Sequence, residues 1–179
     1  MSPPIPVVPP IAVRGTAFVV GCERGCTRLA VAERFFDTMK RKASAVWQGG
    51  LKDGKGTISA DSGVLSNVPY SFAKRFEDEK GTNPEELIAA AHASCFAMAT
   101  SAQLGSSGIT AQSISATATV ALEKVGDGFS VTSSHLDVTI KAPGADRAKV
   151  QTAADNAKAG CPISKLLNAK ITMEAKIEV

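Results

Sequence analysis

Aromatic side chains are scarce, with one Trp, one Tyr and seven Phe among 179 residues. Excess charge is scarce too, because 20 Lys and Arg face 17 Asp and Glu, for a formal net charge of +3. With no dense basic run and few stacking rings, nothing supplies the footprint of a nucleic-acid surface. The two histidines, His92 and His135, are too few for a His-rich metal centre. Four cysteines are too sparse for a small disulfide scaffold. No apolar stretch is read as approaching the roughly 18 residues that span a bilayer. Neither nucleic acid nor membrane is therefore expected as a partner. What is present is a 44% hydrophobic chain of single-domain size.

Residues 1–38 differ from the rest. Five of the nine prolines fall within the first ten residues, where they block helix and central strand alike. A short apolar patch, Ala17 to Val20, precedes Cys22 and Cys26. The Val-Val-Gly-Cys run has the look of a lipoprotein cleavage site, but a positive n-region is missing and prolines interrupt the apolar run. The expectation is a disordered extension or a start placed too far upstream, ahead of a domain over 39–179, and a cytoplasmic location. The Cys-x₃-Cys spacing is not the Cys-x₂-Cys of redox and zinc motifs, so Cys22 and Cys26 receive no role.

From Met39 onward the chain reads as α+β. Strands are expected over Lys42–Gln48 and Thr57–Ser59, with glycine-rich turns between them. Thr82-Asn83-Pro84-Glu85-Glu86 opens a helix that runs to Leu104, with Thr82 or Asn83 as cap and two carboxylates at its positive end. Residues 112–125 alternate, with Ile114, Ala116, Ala118, Val120 and Leu122 on one face. Gly126-Asp127-Gly128 turns the chain back. The returning strand changes phase between Val131 and Leu136, which implies a bulge or break near Ser133 and Ser134. A helix over Asp146–Lys158, a short one from Cys161-Pro162 to Leu167, and a strand over Ile171–Val179 complete the pattern.

Sulfur and carboxylates must carry any chemistry. Cys95 sits mid-helix at helical spacing from Leu87, Ile88, Ala91 and Met98, so it is expected on a buried face. A lone cysteine there is also what an inert small hydrophobe looks like. His92, three residues earlier, either contacts Cys95 or sits on the helix surface in water. Cys161 precedes a proline at the first position of a helix, where unpaired N–H groups favour a thiolate; the alternative is a cysteine acting as a poor cap. Arg75 lies between apolar residues, as a strand-edge arginine would. Glu85 and Glu86 are explained as helix-dipole and capping residues.

The stretch Arg75-Phe-Glu-Asp-Glu-Lys-Gly-Thr-Asn-Pro-Glu-Glu-Leu-Ile, ending in Ala-His-Ala-Ser-Cys95-Phe96, closely resembles the osmotically inducible protein C (OsmC) family. So do Ala-Lys-Ala-Gly-Cys161-Pro-Ile-Ser, Ala45-Val-Trp-Gln-Gly, Lys55-Gly-Thr-Ile-Ser and Ser62-Gly-Val-Leu. The resemblance runs from about Met39 to Val179, and the Arg75 region favours the OsmC branch over the organic-hydroperoxide-resistance branch. It implies antiparallel sheets around long central helices in an intertwined homodimer. It also implies a two-cysteine thiol peroxidase that acts in oxidative and osmotic stress and needs no cofactor. Cys95 would attack the hydroperoxide and become a sulfenic acid. Cys161 would resolve it to a disulfide, and a dithiol of lipoyl type would reduce that. Arg75 and Glu85 would hold and activate the attacking thiolate. Glu85 precedes Cys95 by ten residues, about 15 Å along one helix, so it would have to serve the Cys95 of a second subunit.

Other readings stay open on residues alone. They are a Cys-dependent hydrolase with Cys95 and His92, a metal-binding module of Cys95, Cys161 and His92, and a stress protein that binds apolar molecules. Since residues 1–38 lack core periodicity, their deletion is expected to leave unfolding free energy and peroxide turnover nearly unchanged. A loss of several kcal/mol or of most activity would contradict that.

Overall fold

The computed structural model describes residues 39–77 and 79–179. The expectations for residues 1–38, including those for Cys22 and Cys26, lie outside the described residues.

Three short strands come first. β1 (Ala43–Gln48) pairs antiparallel with β2 (Lys55–Ala60), and β2 with β3 (Val68–Ser71). Trp47, Gly56 and Tyr70 stand opposite one another across this sheet. Gly56 has no side chain because the Tyr70 ring occupies the place its Cβ would take. The Trp47 and Tyr70 rings then meet at 5.3 Å between centroids, a favourable aromatic separation.

β3 runs straight into α1 (Phe72–Phe76), which Ser71 caps by accepting the Lys74 N–H. Neither element was legible in the sequence, and Arg75 is not on a strand edge but in the last turn of α1. An ion pair between Lys74 and Glu79 at 2.6 Å braces the link to the long helix α2 (Pro84–Ser106). Asn83 caps α2 through the Glu86 N–H at 2.8 Å, with Pro84 in the first turn.

The second sheet carries the core. β4 (Ser113–Val125) and β5 (Gly128–Lys141) form a hairpin whose turn uses Gly126 at φ 61°, a conformation that a side chain disfavours. Ala121 pairs with Ser133 but Leu122 with Val131, so Thr132 is the extra residue of the expected bulge. β6 (Lys170–Glu178) pairs parallel to β5, which corrects the expectation of purely antiparallel sheets. A parallel partner needs a crossover, and α3 (Arg147–Gly160) and α4 (Pro162–Leu166) supply it.

Among the described residues, every buried apolar side chain belongs to this second part, including Phe96 and Leu104 from α2, Leu136, Val138 and Ile140 from β5, and the α3 row Val150, Ala153, Ala154 and Ala157. The first sheet contributes none, and Val46, Leu51 and Val64 are exposed. On α2 the buried residues are His92, Phe96, Thr100 and Leu104, a stripe of fourth residues. The expected face is wrong, because Met98 is 76% exposed and Cys95 only half-buried. An Ala-rich helix is apolar on all sides, so its pattern does not select the buried side. The same composition makes α2 long and apolar enough to cross a membrane, contrary to the sequence reading, although one of its faces is packed in this core.

Candidate active site

Cys161 ends one helix and begins another. Its N–H donates to Ala157 O at 2.8 Å to close α3, and its carbonyl accepts from Lys165 N at 3.0 Å to open α4. Pro162 takes the first helical position, where its missing N–H costs nothing. The Cys161 side chain is fully buried. Its sulfur lies 3.2 Å from Cys95 Sγ on α2. A disulfide spans about 2.05 Å, so the two thiols are in contact and unbonded.

The surroundings set the two sulfurs apart. Burial pushes Cys161 up, but the Ser164 N–H, the Cys95 thiol, the Ile163 N–H and the Ser164 hydroxyl outweigh it and hold Cys161 below the ordinary thiol range. No side chain closes a capping bond at this helix start, so the first-turn N–H groups act on the sulfur as oriented dipoles. Cys95 is pushed up by burial, opposed by the Ile163 N–H and reinforced by the neighbouring Cys161. Within one chain, Cys161 is the more acidic thiol and Cys95 the more accessible one.

Arg75 and Glu85 form a second pair. Nη2 donates to Oε1 at 2.7 Å and Nε to Oε2 at 3.2 Å, the two-pronged geometry of guanidinium on carboxylate. The guanidinium also lies 5.1 Å from the centre of the Phe76 ring. Beside it opens a cleft of about 230 Å³ lined by Trp47, Leu51, Tyr70, Phe72, Phe76 and Arg75. Glu85 and Cys95 are ten residues apart on α2, about 15 Å along the axis. The chain thus brings together Cys95 with Cys161 and Arg75 with Glu85, but not the two pairs with each other.

A family model for OsmC-like proteins matches residues 77–176. Peroxiredoxin OsmC of Escherichia coli strain K12 is 50% identical over 141 residues, covering 79% of this chain and 99% of that protein. The chain belongs to the OsmC-like family. The organic hydroperoxide resistance protein of Xanthomonas axonopodis pv. citri is 33% identical over 92 residues, 51% of this chain and 63% of that protein. Among solved structures, the organic hydroperoxide resistance protein OhrB of Bacillus subtilis superposes with a TM-score of 0.59 at 29% identity, covering 75% of this chain and 98% of that one. The motif around Cys95 and much of the fold described above fall within the family match.

His92 is where sequence reasoning missed most. It is neither on the helix surface nor turned to sulfur. It is fully buried, with Nδ1 2.8 Å from Ser134 Oγ and Nε2 2.9 Å from Ser164 Oγ. Both ring nitrogens are thus engaged by hydroxyls, which leaves neither for a hydrolase base nor for a metal shared with the cysteines. Among the described residues, the side chains that gather as possible metal ligands are His135, Asp137 and Glu174, with ligand atoms within 4.8 Å of one another on β5 and β6. Ser134 was legible in principle. It shares the inward row of β5 with Leu136, Val138 and Ile140, and a hydroxyl in an apolar row requires a polar partner.

Burial holds His92 below the 6.5 of a free histidine. As pH falls from 6.5 towards the folded value, the unfolded chain takes up a proton that the folded chain refuses. The stabilisation is complete above about 6.5 and is lost as pH drops through that window. Urea unfolding between pH 7 and 5 should show a declining midpoint, and His92→Gln should flatten the decline. An unchanged slope in the variant would mean that His92 does not titrate as a buried neutral group.

Proposed function

We propose that this chain is a thiol peroxidase that reduces hydroperoxides, with Cys95 as the attacking residue and Cys161 as the resolving one. The observation that carries the reading is the 3.2 Å contact between the two sulfurs. The names of the relatives, a peroxiredoxin and an organic hydroperoxide resistance protein, support the same chemistry.

Accessibility supports this order of roles. Cys161 is fully buried and Cys95 is not, so peroxide reaches Cys95. The Cys95 thiolate attacks the distal oxygen of ROOH; an S–O bond forms, the O–O bond breaks, and ROH leaves with a proton. Cys161, already favoured as a thiolate, then attacks the sulfenic sulfur, and hydroxide departs as water. A dithiol, of the lipoyl type that the family resemblance implies, returns both cysteines to thiols. The low acidity of Cys95 within one chain calls for a cation.

That cation is Arg75 of a second copy, oriented by Glu85. Two features favour a homodimer that shares sites in this way. The first sheet owns no core residue, so a second surface must stabilise it. The exposed side of α2, including Met98 at 76%, is apolar and suited to a two-fold partner. The aromatic cleft beside Arg75 would then border the Cys95 of the partner and favour an organic hydroperoxide.

Cys95→Ser is expected to abolish peroxide consumption, and Cys161→Ser to permit a single turnover that leaves a dimedone-reactive sulfenic acid. Glu85→Ala should cost no more than about 1 kcal/mol of stability, as a partly exposed pair, yet remove most activity. Mixing Glu85→Ala with Cys95→Ser should restore activity after subunit exchange, since mixed dimers regain one complete site. Verified heterodimers without activity, or a fully active Glu85→Ala, would refute the shared site.

A further inference from the structure

We propose that His92 is a positioning residue for disulfide formation, a buried strut that ties the helix bearing Cys95 to the helix that begins at Cys161. The proposal rests on the peroxidase reading for its biological use, but the strut itself does not.

Two parallel links join α2 to α4. Cys95 meets Cys161 at 3.2 Å, and one turn away His92 meets Ser164 at 2.9 Å. His92 lies three residues before Cys95, and Ser164 three after Cys161. The far side of the imidazole is fixed to β5 by Ser134 at 2.8 Å. His92 and Ser134 are fully buried and Ser164 nearly so. A neutral imidazole has one donor and one acceptor nitrogen, and two rotatable hydroxyls satisfy both. The ring is therefore held at two points, and losing either hydroxyl strands a buried nitrogen.

Few side chains hold helix α4, and of these Ile163 packs partly buried against the core. The helix is five residues long, Ser164 is its one buried side chain, and Leu166 is 75% exposed. Its one buried polar anchor is the hydroxyl that His92 engages. The same short helix presents the Ile163 and Ser164 N–H groups to Cys161 and so favours the thiolate. Joining the sulfurs requires them to close by roughly 1 Å, and displacements of that size can cost on the order of 100-fold in rate. A strut one turn away from the reacting pair keeps α4 from drifting. In the reaction, Cys161 thiolate displaces hydroxide from the Cys95 sulfenic acid, which leaves as water. His92 exchanges no proton with either sulfur.

The test uses the full chain with His92→Phe, His92→Gln and Ser164→Ala. Disulfide formation is followed with diamide and at equilibrium against glutathione, neither of which requires peroxidase activity. Expected are a roughly 10- to 100-fold slower closure and a weaker disulfide in His92→Phe and Ser164→Ala. Partial rescue is expected in His92→Gln, which keeps a donor and an acceptor. The thiolate absorbance of Cys161 at 240 nm should move to higher pH in His92→Phe, which keeps the Ser164 hydroxyl, and further in Ser164→Ala, which also removes the direct bond of that hydroxyl to Cys161. The double variant should be no slower than the worse single one, because both remove the same link. Unchanged closure and thiolate titration in folded Ser164→Ala would overturn the proposal, as would fully additive effects. Ser164→Ala keeps the test decisive if His92→Phe does not fold. Failure to reduce peroxide with the strut effects intact would overturn only the peroxidase reading.

Discussion

Cys161 is located by backbone hydrogen bonds before its side chain does anything. Its N–H belongs to the last turn of α3 and its carbonyl to the first turn of α4, so its sulfur is fixed where two helices meet. α3 is anchored in turn by Val150, Ala153, Ala154 and Ala157, which pack in the core formed with β5. The contact with Cys95 therefore depends on how the β5–α3–α4–β6 crossover seats against α2. This explains why the parallel strand β6 matters to the site. Pairing β6 parallel to β5 forces an excursion over one face of the sheet, and that excursion delivers Cys161 to Cys95.

The division of labour proposed for the thiols rests on the same placement. A buried thiol at a helix start is stabilised as a thiolate yet shielded from solvent. A half-buried thiol in the middle of a helix is reachable but lacks positive charge in its own chain. In the mechanism proposed, the two thiols divide accessibility and acidity between the two steps. The Arg75–Glu85 pair joins α1, which like the first sheet buries no apolar side chain, to the first turn of α2. In the proposed assembly, the surface that stabilises those elements is also the one that receives their charge.

Much of this was legible in the residues. Asn83-Pro84 marked the start of α2, Gly126-Asp127 the hairpin, the phase change after Val131 the bulge, and Gly160-Cys161-Pro162 the break between helices. Short elements were not legible. Val68–Ser71 and Phe72–Phe76 are too brief for either period to register, and Pro69 weakens the strand signal while sitting harmlessly on an edge strand. Strand direction was invisible as well, since alternation is the same in parallel and antiparallel pairs. The buried face of α2 was misread because alanine surrounds it, and with it the place of His92, whose serine partners lie 42 and 72 residues away.

The account stands most directly on one thiol count. The reduced full chain, with its four cysteines, is treated with one equivalent of an organic hydroperoxide per chain, denatured, and its free thiols are counted and mapped. The account predicts the loss of two thiols per chain, both within one chain, joined as Cys95–Cys161, with Cys22 and Cys26 still reduced. Oxidation that spares Cys95, or a disulfide that pairs either residue with Cys22 or Cys26, would contradict it.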